Sequence, residues 1–587
     1  MNPAPVGYTS ASFLPEDESL AKRVTALVQS LEMAKRSYGP ACAVKCEQVL
    51  RRLKGVQFGD ASTLIRAHDT LLFLRAFPQS AKVARLADSL LGGLELQVTH
   101  LLETTGDTEA FDDEAVSGIA GTTVTNALTF DLVRQLALRH GRQLTAEWNV
   151  DEHYRQMGLT LPTVLPLLDD DSFVEADTPY LKWIEAASKR SQSSLSWLLD
   201  NFAGIDVPLL RTSLFSGLGI NIAWNLHNSP ASRTLARKPV KKLFCHNEPL
   251  LQRKDVSIAR VLAAPPLSLH RLSRKDGRAI LDMVQDAVTV RYRELQGTTY
   301  ADPDTVLHCD VGRGVQLYLW GLLPGWRLPL RSYYAGFAVK NGVPINYFEA
   351  IGLFEWMEIG FNTFYAYREG ETAWIYAQYL HLLHHVAGTT CFSVYPYQIG
   401  QDNEEAIKSG AFWFYRKLGF RPGRPDLLAL TLAEEKKMAR DPKHRSSAQT
   451  LRRLAEGHIF FEIGERPQGA WDSFSTRTLG LAVQDRLAPE FGGEARDMRC
   501  RSTAHLAKAL GVNIGRWKPT EQQAFSNFAL VLSLVPEVAD WPIRDKRKLL
   551  VIIRAKTSQD ETKYLRLLQQ HESLRAAFLR VGSATSY

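Results

Sequence analysis

Residues 332–340 read SYYAGFAVK, Asn341-Gly342 follows at once, and 343–351 read VPINYFEAI. Both runs are rich in aromatic and β-branched residues, which suit a pleated, half-buried surface. Asn-Gly tolerates positive φ at both central positions of a tight turn, so it joins the two runs as a two-residue hairpin. The strand texture extends outward from this point. Upstream lies 306–320, VLHCDVGRGVQLYLW, and downstream the extended segment 355–367, EWMEIGFNTFYAY, which runs into Arg368-Glu369-Gly370-Glu371-Thr372. A helix is expected over 373–387, a strand over 389–397 (TTCFSVYPY), a helix over 403–418, and then Gly419-Phe420.

Both flanks read as helix. Leu64, Leu71 and Leu72 follow a Gly59-Asp60 start, and Val83, Leu86, Leu90 and Leu91 keep a spacing of three to four. Further helices are expected at 127–140, 179–202, 207–215, 255–263 and 276–296, with a short strand at 143–149. Past 430 the reading is helical again: 432–440, 448–456, 519–534 and one long helix near 545–580. At 587 residues the chain exceeds one hydrophobic core. The expected division is a mainly helical N-terminal region (1–265), a sheet-containing unit (266–430) and a helical C-terminal region (431–587). The fold class is therefore α+β, a mixed sheet embedded between two helical regions.

Lys plus Arg total 70 against 63 Asp plus Glu, a formal net charge of +7. That balance tolerates anionic ligands but is not the concentrated basic stripe of a nucleic-acid binder. No run of 18 apolar residues occurs, and Trp197–Trp224 is broken by Asp200, Asn201, Asp206, Pro208 and Arg211, so no membrane span is expected. Six scattered cysteines and an N-terminus without a basic-then-apolar start point to a reducing, cytoplasmic setting.

The order of elements from 305 to 422 resembles the GNAT superfamily of acyl-CoA-dependent acyltransferases. It has three antiparallel strands, a phosphate-facing turn, a helix, a diverging strand and a last helix closing on Tyr-x-x-x-Gly-Phe. The most recognisable piece is Asn403–Phe420, NEEAIKSGAFWFYRKLGF, which is similar to the family's Asn-x-x-Ala … Tyr-x-x-x-Gly-Phe ending. The resemblance implies acyl-CoA as cosubstrate, held at Arg368, Gly370, Glu371 and Thr372. It implies Asn403 on the pantetheine arm, Glu358 as the base toward an amine or hydroxyl acceptor, and Tyr415 as the acid toward the leaving thiolate. No metal is implied. Relatives with this fold that use aminoacyl-tRNA as donor form a variant of the same reading.

The chemistry sets two conditions on the fold. A carboxylate about 6 Å from a phosphate costs roughly 3 kcal/mol at an effective dielectric of 20. A helix N-terminus returns only about 0.3–2 kcal/mol. Glu369 and Glu371 must therefore point away from the donor, or be neutralised. Asn403 and Tyr415 also stand twelve residues apart where the family typically has seven. Five extra helical residues turn the face by about 140°, so the helix must break at Ser409-Gly410 for both to meet one ligand. Plainer roles stay open: Asn403 as a helix cap, Tyr415 as a core aromatic, Glu358 as a surface strand residue, and the whole unit as a non-catalytic binding or scaffold module.

Other motifs carry less. His381, His384 and His385 share a helix without the glutamate a zincin needs. Cys42 and Cys46 lack a second ligand pair. His68-Asp69 has no companion metal ligands, Asp169–Asp171 reads as a solvated loop, and Gly217-Leu-Gly219 and Gly312-Arg-Gly314 lack a dinucleotide setting.

Overall fold

The Asn341-Gly342 pair folds as its residue types dictate: both sit at positive φ, +51° and +81°, and close a hairpin. In the computed structural model, which describes residues 15–583 apart from 149, 165–179, 192, 465 and 467, this hairpin lies inside a nine-stranded mixed sheet. The Asp169–Asp171 motif lies outside the described residues.

In chain order the strands are β1 (Thr123–Asn126), β2 (Leu144–Trp148), β3 (Ile220–Asn225), β4 (His270–Arg271), β5 (Leu307–Asp310), β6 (Val315–Gly321), β7 (Ser332–Lys340) and β8 (Val343–Leu353). They continue with β9 (Trp356–Thr363), β10 (Cys391–Val394), β11 (Arg421–Pro422) and β12 (Ile459–Glu462). The large sheet has the order β11-β12-β10-β9-β8-β7-β6-β5-β4, and the first three strands form a separate sheet, β1-β3-β2. From β4 to β9 neighbours are antiparallel. β10 pairs parallel to β9, and β12 then pairs antiparallel with both β10 and β11.

Several boundaries differ from the sequence reading. The 306–320 segment is two strands, turned by Gly312-Arg313-Gly314, all three at positive φ. The 179–202 helix is two helices, Tyr180–Ser188 and Ser194–Phe202, and the long C-terminal helix is three, Ile543–Ala555, Glu561–Leu568 and Glu572–Gly582. β11 is only two residues long, and its partner β12 arrives after helices Pro425–Arg440 and Ala448–Leu454, so the sheet takes in residues well past 430. No local pattern announces a hairpin whose two arms are split by a helical insert.

One buried cluster joins the N-terminal helices, the large sheet and the C-terminal helices. Leu72, Phe73 and Phe77 belong to the same core as Phe337, Tyr379 and Phe578. Helix Thr372–Ala387, between β9 and β10, is apolar nearly all round, as a helix enclosed on every side must be. A second cluster holds the small sheet, with Phe130, Leu198, Phe202, Phe215 and Trp224 at its centre. Among the described residues no helix is long and apolar enough to cross a membrane.

Candidate functional site

The parallel ladder between β9 and β10 has three rungs, Cys391↔Trp356, Phe392↔Met357 and Ser393↔Glu358. β10 then stops, because Tyr395 precedes Pro396 and the proline opens a short helix, Pro396–Ile399. Proline has no N–H to extend a ladder and biases the residue before it toward extended backbone. β9 runs on to Thr363 with that edge unpaired, so the two strands part beyond Glu358.

A cleft of about 250 Å³ opens at this parting, lined by Phe361–Thr363 of β9, Arg368 and Thr372 of the turn, Gln398, Asn403, Glu405, Phe414 and Tyr415. Asn403 and Tyr415 meet there because the expected 403–418 helix is broken. Gly410 adopts left-handed backbone, φ 66°, ending Glu404–Ser409 and starting Ala411–Arg416 afresh. A side chain would be strained at that φ, so glycine is what lets the second segment change direction.

Each predicted residue can now be placed. Asn403 caps its helix, its Oδ1 accepting from the Ala406 N–H at 3.0 Å and its Nδ2 donating to the Tyr397 carbonyl at 3.1 Å. One amide N–H remains for a ligand. Tyr415 is buried edge-on against Tyr376, Phe414 and Phe420. Burial raises its pKa, so the phenol stays protonated, and its hydroxyl makes no hydrogen bond among the described residues. The Tyr376 hydroxyl and Thr363 Oγ1, also beside or in the cleft wall, are buried without a partner. Arg368 stacks on Tyr365 at 3.8 Å and pairs with Glu405 at 2.5 Å.

Gly370 and Glu371 stand elsewhere, and the expectation that they hold the donor is corrected here. The Gly370 N–H donates to the Tyr367 carbonyl at 2.9 Å, and a Cβ on Gly370 would meet the Phe77 ring at 2.5 Å. An N-terminal helix covers that side of the turn. Glu371 is fully buried and faces away from the cleft. Arg313 Nε donates to both its oxygens, at 3.0 and 3.1 Å, the Leu251 N–H donates at 3.2 Å, and Lys340 Nζ lies 3.6 Å away. Burial raises the Glu371 carboxyl, but hydrogen bonding from Arg313 and the charge of Lys340 outweigh it and hold the group below its usual range. Burial likewise pulls the Lys340 ammonium down to about 7 and the neighbouring His246 imidazole to about 3. Glu369 is drawn off by Arg36 and Lys35. Neither glutamate of the turn faces the cleft.

Glu358 marks the last parallel rung. Its Oε2 lies 2.9 Å from His458 Nε2, and its Oε1 lies 3.8 Å from Arg331 Nη1. Sequence reading missed His458, Arg331, Gln398 and Thr363. The run His458–Ile463, HIFFEI, carries the strand texture that would have located the first of them. Glu349, opposite Gly360 on β8, was missed as well. Burial raises its pKa, but its carboxylate is occupied by the Tyr333 hydroxyl.

The set-aside motifs have ordinary partners. His384 Nδ1 meets the Thr389 carbonyl, His385 Nδ1 accepts from the Leu267 N–H, and His68 lies buried between Asp69 and Thr234. Among the described residues no group of His, Cys, Asp and Glu could hold a metal ion. No protein-family model matches the chain, and no curated protein or solved structure matches it either.

Proposed function

We propose that the unit built on β5–β12 is an acyltransferase of GNAT type, moving an acyl group from acyl-CoA or another carrier-bound donor to an amine or hydroxyl acceptor. One observation carries the reading. Two parallel neighbours part after three rungs, and Arg368, Thr372, Asn403 and Tyr415, distant in sequence, line the cleft that results.

A volume near 250 Å³ is below the ~300–1,000 Å³ of pockets that enclose a whole small ligand. It suits a pantetheine arm threading between strands, with the nucleotide end outside. Arg368 and Thr372, rather than the Gly370 amide, then meet the pyrophosphate. An incoming phosphate competes with Glu405 for the Arg368 guanidinium. The unpartnered Tyr415 hydroxyl faces the sulfur of the arm, and the protonated phenol supplies the thiolate's proton. The acceptor's proton is taken up at the Glu358 rung, where the gap opens.

A second reading, a non-catalytic module, is favoured by the closed side of the turn, since the Gly370 amide faces protein and not ligand. Calorimetric titration of the whole protein with CoA, acetyl-CoA and longer acyl-CoAs separates the two. The transferase reading expects heat with at least one thioester, with affinity weakened roughly 10- to 100-fold in Arg368→Ala and kept in Tyr415→Phe. No heat with any of them decides for the second reading.

A further inference from the structure

β12 lies beside β10 on the side away from β9, with Ile459↔Val394 and Phe460↔Ser393 in register. His458, the residue before Ile459, therefore stands opposite Tyr395, two positions beyond the last rung that joins β10 to β9. Glu358 belongs to the other bank. The 2.9 Å contact between Glu358 Oε2 and His458 Nε2 thus crosses the parting where it begins.

The imidazole is fixed on several sides. Tyr395 meets it edge-on with centroids 5.3 Å apart, and Phe460 lies at 6.1 Å. Glu358 in turn is steadied by Arg331. A carboxylate accepts only, so Nε2 carries the hydrogen, and in the neutral imidazole Nδ1 is the nitrogen that can accept a proton. Nδ1 makes no hydrogen bond among the described residues, and the side chain is about 30 % exposed. Gly360 stands two residues past Glu358 on the same face of β9. A Cβ there would first meet the side-chain amide of Gln398, at 3.6 Å, and Gln398 itself lines the cleft.

We propose that His458, through Nδ1, is the group that takes the proton from the acceptor, with Glu358 as its positioning residue rather than the base itself. This rests on the acyl-transfer reading above. The acceptor nitrogen or oxygen bonds to the thioester carbonyl carbon while its proton passes to Nδ1. The carbon–sulfur bond then breaks, and the departing thiolate takes the Tyr415 proton. His458 returns its proton to solvent, and Tyr415 regains one from the same source.

The test uses acetyl-CoA as donor and hydroxylamine as a small general acceptor, following CoA release by chromatography, with CoA binding measured in parallel. His458→Gln keeps a donor toward Glu358 but offers no base. It is expected to bind CoA within twofold of the unsubstituted protein and to lose at least a hundredfold in turnover. His458→Ala is expected to regain at least tenfold on addition of free imidazole, which a purely structural histidine would not show. Turnover in His458→Gln within threefold of the unsubstituted protein, with no imidazole rescue in His458→Ala, overturns the base assignment and leaves the transferase reading standing. No binding and no CoA release in the unsubstituted protein overturns both.

Discussion

The turn Arg368–Thr372 has two sides with opposite characters. On one, Gly370 and Glu371 are sealed against the N-terminal helices and the β5–β6 turn by Phe77, Arg313, Lys340 and Leu251. On the other, Arg368 and Thr372 face an open cleft with unpartnered hydroxyls in or beside its wall. Five consecutive residues thus serve both as an anchor and as the rim of a site. Burial separates the two roles. A charge with no water around it must be answered by fixed partners, whereas a charge at a rim is free to exchange its partner for a ligand.

Glu371→Ala attacks the anchor most directly. It strands Arg313 and Lys340 without their common counter-ion, and stability measured by urea unfolding should fall by about 3–5 kcal/mol. A loss below 1 kcal/mol would mean the sealed side is no anchor. Lys340 adds a pH signature. Its folded pKa, near 7, lies below the ordinary lysine value, so between about pH 7 and 10.5 the unfolded chain binds more protons than the folded one. Stability should rise with pH through that window, and the rise should vanish in Lys340→Met. His246 and Glu371 are also depressed, so acidification below about pH 6.5 should cost stability as their unfolded forms take up protons.

Phe77→Ala should cost about 3–5 kcal/mol by leaving a cavity over Gly370. Gly370→Ala forces a methyl into the Phe77 ring and should cost about 1–3 kcal/mol. Acyl-CoA affinity of the folded Gly370→Ala fraction should not change. A tenfold loss of affinity there would return the donor site to the glycine and erase the distinction between the two sides.

Arg368→Ala should show the reverse pattern. Its pairing with Glu405 is half-exposed, so stability should move by less than about 1 kcal/mol. A charge-assisted hydrogen bond to phosphate contributes about 1.5–3 kcal/mol, so affinity should drop roughly 10- to 100-fold by calorimetry. Equal effects on stability and binding would blur the comparison.

Much of the site's framework was readable from residues alone. Asn341-Gly342 fixed one hairpin, and the need for a break at Ser409-Gly410 followed from helix geometry and is met at Gly410. The condition that Glu369 and Glu371 turn away is also met, by Arg36 and Lys35 for the first and by Arg313 and Lys340 for the second. Those partners were not readable, because they lie between 31 and more than 300 positions away along the chain.

Local patterning of apolar, aromatic and turn-forming residues located most of the helices and the run of strands from β5 to β10 in their order, but not β1, β3, β4, β11 or β12. That information is carried by neighbours a few positions apart. Tertiary structure alone decided which side of the turn is closed, that β12 closes beside β10 after a helical insert, and that His458 reaches Glu358 across a hundred residues. Such choices come from competition among distant surfaces for the same buried space, and a linear pattern does not record who wins it.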